Sequence, residues 1–143
     1  MDNLINSIGI IIYTTLLYTP PLLFAALGSC FSENSGVVNI GIEGMMTIGA
    51  FIGATVGHYT GMPWFSFLCG GLAGALFGAL HALATVKLNA DQTISGTAIN
   101  FIAPGLAVLM AKALFNSSDT VPLSPAQKIP LLFNESFPAG TDW

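Results

Sequence analysis

The stretch from Trp64 to Val86, WFSFLCGGLAGALFGALHALATV, holds no charged residue. It is longer than the roughly 20 largely apolar residues that a helix needs to cross a bilayer. One such run could be a buried helix of a soluble protein, but three more follow the same pattern. They lie from about Leu4 to Phe31, Val37 to Gly57, and Thr93 to Phe115. Too little polar chain remains between them to cover four apolar helices from water. The expected fold is therefore all-α, a polytopic transmembrane helical protein with about four membrane helices over 4–31, 37–57, 64–86 and 93–115, so that residues 1–115 form a transmembrane domain.

Composition points the same way. Hydrophobic residues make up 53% of the chain and charged ones 7%, whereas an ordinary soluble domain is about a quarter charged. Three Lys/Arg and seven Asp/Glu cannot make a water-soluble surface. The net charge of −4 is spread thinly, which leaves no basic patch for nucleic acid and no polybasic stretch for anionic lipid heads. Membrane lipid is the surrounding medium rather than a charged partner. Cys30 and Cys69 lie far apart in apolar runs and read as packing residues with free thiols. Met1-Asp2-Asn3 carries no positive region of the kind that opens a signal peptide, so the first apolar run is expected to stay in the mature protein.

Between the runs lie local signals. Pro20-Pro21 removes two backbone donors and is expected to kink or break the first helix. Ser32-Glu33-Asn34-Ser35-Gly36 is a polar knot, His58 to Pro63 read as a turn, and Trp64 suits an interfacial anchor. Residues 116–143 form a polar, Pro-rich tail with no convincing helix, in which Asn116-Ser117-Ser118 and Asn134-Glu135-Ser136 match glycosylation sequons by pattern alone. Gly49, Gly53 and Gly57 recur at four-residue spacing, as do Gly70, Gly74 and Gly78. In lipid, close backbone approach drives helix association, so these two stripes predict a tight crossing of the second and third helices.

Polar groups at membrane depth mark the candidate site. Glu43 lies in an apolar segment where an ionised carboxylate costs at least about 2.5 kcal/mol at depth. Asn39, Gly41 and Gly44 around it make a poor regular helix, and broken backbone at that depth is tolerated where it lines a cavity or is packed in protein. The second segment is thus expected to be glycine-broken, with Glu43 at a cavity or interior rather than as a solvated helix-start carboxylate. Thr93, Thr97 and Asn100 fall on roughly one face of the fourth helix and can bond a solute or join two helices. The candidate solute-binding residues are Asn39, Glu43, Thr97 and Asn100. His58 and His81 have no ligand-spaced partners, so no metal site is expected, and His81 reads as a satisfied helix contact. No phosphate-binding loop, nucleophile elbow or zinc motif occurs, so neither catalysis nor a cofactor is expected.

The run Phe31-Ser32-Glu33-Asn34-Ser35-Gly36-Val37-Val38-Asn39-Ile40-Gly41-Ile42-Glu43-Gly44-Met45-Met46 resembles a signature of bacterial ABC transporter permeases. It looks closest to their nucleoside and simple-sugar branch, related to the ribose and branched-chain amino-acid permeases. Ala90-Asp91-Gln92-Thr93-Ile94-Ser95-Gly96-Thr97-Ala98-Ile99-Asn100 is similar to the start of a later helix in that branch. The resemblance implies the N-terminal half of a multi-pass permease subunit in the bacterial cytoplasmic membrane, importing a nucleoside or simple sugar by alternating access. It also implies three partners: a second permease subunit in a homo- or heterodimer, a cytoplasmic ATP-binding subunit and an extracytoplasmic solute-binding protein. A small oligomeric channel or scaffold is the alternative, and the length of the parent reading frame separates the two. Counting lysines leans towards a cytoplasmic tail. The resemblance implies the reverse, with an extracytoplasmic N-terminus and tail and Lys87 inside.

Overall fold

The computed structural model describes residues 2–116 together with residue 121, so the tail from Ser117, with Lys128 and the second sequon, lies outside the described residues apart from Val121. Four α-helices follow in order: α1 (Asp2–Asn34), α2 (Ile42–Thr60), α3 (Pro63–Ala82) and α4 (Gln92–Phe115). A π-helical turn, Leu83–Lys87, extends α3. No strand occurs among the described residues. The helices α1, α3 with its π turn, and α4 are each long and apolar enough to cross a membrane. The protein is a multi-pass membrane protein.

The second segment departs from its expected form in two ways. Its helix starts at Ile42, not at Val37, and runs on through His58 to Thr60. Gly41 is the residue before the helix and Gly44 lies inside it, so the break precedes the helix instead of interrupting it. Nor is α2 among the three long apolar spans, because Glu43 opens it and His58, Tyr59 and Thr60 close it. At 19 residues it still reaches about 28 Å, close to the roughly 30 Å of a hydrocarbon core. It can be less apolar because α3 and α4 cover it.

Pro20 and Pro21 do not break α1, which runs through both. Stopping there would free several backbone groups, whereas the prolines remove only two donors, and in lipid each unpaired group is costly. Hydroxyls in α1 are likewise held inside the helix: Thr14, Thr15 and Thr19 each donate to the carbonyl four residues back, at 2.6–2.8 Å. Cys30 is exposed, not packed, and Cys69 is half-buried; both thiols are free.

The expected tight crossing of α2 and α3 is present, and the two helices run antiparallel. An added Cβ on Gly70 would sit 2.7 Å from the Gly49 carbonyl oxygen and 3.3 Å from the Gly53 Cα. Ser66 Oγ donates to the Gly53 carbonyl at 2.9 Å across the same crossing. On Gly71, one residue along, an added Cβ meets nothing within 4 Å. Gly70→Ala should therefore lower thermal stability by about 1–3 kcal/mol through overpacking. Gly71→Ala should be neutral or slightly stabilising through helix propensity. Heat unfolding of the two purified variants in detergent compares them, and equal effects would reject this crossing.

Helix α4 runs parallel to α2 and presents its own small-residue stripe. Gly96, Ala103, Ala107 and Ala111 are buried, along with Ile99. Ile48 of α2 packs with Ala103 and Ala107, flanked by Phe51, Ile52 and Phe77. At the far end His58 meets Phe115 edge-on at 5.1 Å and Tyr59 stacks on Phe115 at 6.0 Å. Gly61, with φ +67°, turns the chain from α2 towards α3 in a left-handed conformation that suits glycine.

Candidate functional site

At the near end of the bundle, the segment between α1 and α2 lies across the α3–α4 hairpin. After α1 the chain turns at Gly36, with φ +87°, and residues 37–39 adopt no regular structure. Backbone polar groups in such a segment need partners, and side chains from three elements supply them. Ser32 Oγ donates to the Val37 carbonyl at 2.7 Å. Gln92 uses both ends of its amide: Oε1 accepts from Val38 N–H at 2.7 Å and Nε2 donates to the Gly36 carbonyl at 3.3 Å. His81 is buried; its Nε2 stands 3.4 Å from the Val38 carbonyl and its Nδ1 3.0 Å from Ser95 Oγ. The carbonyl can only accept, which makes Nε2 the protonated nitrogen and lets Nδ1 accept from the serine.

Asn100 engages both amide groups in the same way. Oδ1 accepts from Gly44 N–H at 2.8 Å and Nδ2 donates to the Ile40 carbonyl at 2.9 Å. The residue preceding α2, Gly41, has no side chain to cap the helix. Asn100 therefore supplies from α4 the cap that the local sequence lacks. Pro104, four residues later, brings no N–H to the Asn100 carbonyl.

The approach is close because glycines line both sides. A Cβ on Gly44 would lie 2.6 Å from the Ile99 carbonyl oxygen, and one on Gly96 would lie 2.9 Å from Gly41 N.

The other candidate residues surround this contact. Asn39 is half-buried, with Oδ1 accepting from Gly41 N–H at 3.0 Å and Nδ2 set 3.5 Å from Met45 Sδ. A thioether is a weak acceptor, so that amide N–H can be drawn to a better partner. Glu43 is exposed in the first turn of α2, where a carboxylate complements the helix dipole. Thr97 is exposed, and its hydroxyl donates to the Thr93 carbonyl at 2.7 Å. The structure thus brings Asn100 onto the segment that holds Asn39 and Glu43, and leaves Thr97 on the exposed side of the same helix. Among the described residues no three His, Cys, Asp or Glu side chains converge as a metal site requires.

Nothing in the sequence pattern marks Gln92, Ser95 and His81 as site residues. A glutamine in the first turn of a helix reads as a solvated end, and nothing local indicates that its amide reaches back more than fifty residues.

A bundle of membrane helices, crossing on glycine and holding a non-helical segment at one end, defines a polytopic helical membrane protein. The chain belongs to the family described as branched-chain amino acid transport system / permease component, whose profile matches residues 11–137. It is 46% identical over 119 residues to the nucleoside ABC transporter permease protein NupC of Lactococcus lactis, covering 79% of this chain and 38% of that one. It is 43% identical over 124 residues to the guanosine ABC transporter permease protein NupQ of Bacillus subtilis, covering 82% of this chain and 39% of that one. A putative glucose ABC transporter permease protein of Haloferax volcanii is 37% identical over 99 residues, covering 69% of this chain and 30% of that one. The matched region is thus under two fifths of each relative's length. No solved structure gives a significant match.

Proposed function

We propose that this chain is part of the permease subunit of an ABC importer that carries a nucleoside across the bacterial cytoplasmic membrane by alternating access. The observation that carries the reading is the pair of nucleoside and guanosine permeases among its relatives. In this reading it works with a second permease subunit, a cytoplasmic ATP-binding subunit and an extracytoplasmic solute-binding protein. A nucleoside offers hydrogen-bonding groups on base and ribose around an apolar ring. Asn39 Nδ2, the Glu43 carboxylate and the Thr97 hydroxyl can meet such groups, while Asn100 holds the backbone between them.

Uptake of radiolabelled nucleoside by the complete transporter tests this. Asn39→Leu and Glu43→Gln should each raise KM roughly threefold to tenfold, the worth of one hydrogen bond, with insertion and ATPase binding retained. Normal nucleoside uptake in both variants, or transport of glucose in preference to nucleoside by the unaltered protein, would overturn it.

The proposed orientation places the N-terminus outside, Lys87 inside and the end of α4 outside. Single cysteines at Asn89 and Asn116, in a background lacking Cys30 and Cys69, should then react with impermeant reagent from opposite sides of the membrane. Labelling of both from one side would reject that path.

A further inference from the structure

Gln92 and Asn100 stand eight residues apart on α4, which is about 12 Å along the helix axis. Their amide N–H groups take the carbonyls of Gly36 and Ile40, four residues apart. A chain near full extension covers about 13 Å in four residues, and a helical one about 6 Å. The two amides therefore match an unwound segment and cannot both reach a helical one. Gln92 also accepts the Val38 N–H of this segment, and Asn100 accepts the N–H of Gly44 in the first turn of α2 that follows it. His81 stands at the Val38 carbonyl between them. Helix α1 makes little other contact with the bundle, so the register of this segment depends on the grip from α4, with His81 of α3 beside it.

We propose that Gln92 and Asn100 form a paired amide clasp that keeps residues 36–41 unwound, and that Gln92 is a positioning residue for solute passage, acting through the backbone of Gly36 and Val38. This rests on the reading of the segment as part of the solute path. Gln92 makes no solute contact itself; it sets where Asn39 and Glu43 stand.

The test uses the complete transporter in nanodiscs, with amide hydrogen exchange and nucleoside uptake measured on the same variants. Gln92→Leu removes both bonds, and exchange at Val38 should quicken about tenfold while amides in the middle of α3 and α4 keep their rates. KM should rise with the maximal uptake rate retained. Gln92→Glu keeps an acceptor for Val38 N–H but loses the donor to Gly36, and should fall between; it also carries the test if the leucine variant fails to insert. Wild-type exchange at Val38 in both variants would overturn the clasp. Faster exchange with unchanged KM would overturn the positioning role and leave the transport reading intact. By contrast, normal uptake in Asn39→Leu and Glu43→Gln overturns the transport path whatever Gln92 does.

Discussion

Replacing Gly44 by alanine is expected to disrupt the bundle more than the same change at Gly49, Gly70 or Gly96. Its Cβ would stand 2.6 Å from the Ile99 carbonyl oxygen, 2.9 Å from the Ile99 carbonyl carbon and 3.0 Å from the Asn100 Cα. All three are backbone atoms of a helix and cannot rotate aside. Relief requires the start of α2 to move away from α4, which lengthens both Asn100 hydrogen bonds and opens the Ile48–Ala103–Ala107 contact behind them. Overpacking alone costs about 1–3 kcal/mol, and the two loosened bonds add about 1 kcal/mol each. The expected loss is thus on the order of 3 kcal/mol or more. Gly105→Ala is the control, because its Cβ meets nothing within 4 Å. Heat unfolding in detergent and the amount of inserted protein should fall for Gly44→Ala and stay unchanged for Gly105→Ala. A Gly44→Ala protein as stable as wild type would mean that α2 and α4 do not approach this closely.

Most of the helical architecture was legible in the sequence, since length and hydropathy locate membrane helices almost alone. The glycine crossing of α2 and α3 was legible too, because Gly49/Gly53 and Gly70/Gly74 advertise themselves by spacing. The α2–α4 crossing was not. Alanines at 103, 107 and 111 look like ordinary helix filler, and Gly96 stands apart from any glycine series. Hydropathy starts α2 too early for a related reason: Val37 and Val38 extend the apolar run, and nothing in it shows that Gln92 and His81 bond their backbone outside a helix.

The two stretches that carry the permease resemblance, 31–46 and 90–100, are separated by most of α2 and all of α3. In the structure they are the two sides of one interface. Gln92 meets Gly36 and Val38, Gly96 meets Gly41, and Asn100 meets Ile40 and Gly44. Residue types that look like separate polar signals along the chain are therefore one arrangement: small residues permit the approach and amides satisfy the backbone that the approach exposes. Glycine alone would leave those backbone groups unpaired, and amides alone could not come close enough.

Asn100→Leu separates holding from solute binding. Leucine removes the acceptor for Gly44 N–H and the donor for the Ile40 carbonyl while filling similar space. The buried Gly44 N–H left without a partner costs about 1–3 kcal/mol and the lost bond to the exposed Ile40 carbonyl about 1 kcal/mol, so thermal stability should drop by roughly 2–4 kcal/mol. Asn100→Asp keeps an acceptor for Gly44 N–H but turns a carboxylate oxygen towards the Ile40 carbonyl. It should retain part of the cap and lose the other bond through repulsion. If Asn100 acts by holding the start of α2, both variants lose stability, leucine more than aspartate. KM then rises in the same order, as for Gln92→Leu, because the segment that carries Asn39 and Glu43 is held less well in place. If Asn100 instead bonds the solute directly, Asn100→Leu leaves the unfolding temperature unchanged and raises KM. Heat unfolding without solute, followed by uptake kinetics on the inserted fraction, distinguishes the two. The geometry favours the first outcome, because both of its amide groups are already within 3 Å of the backbone they cap.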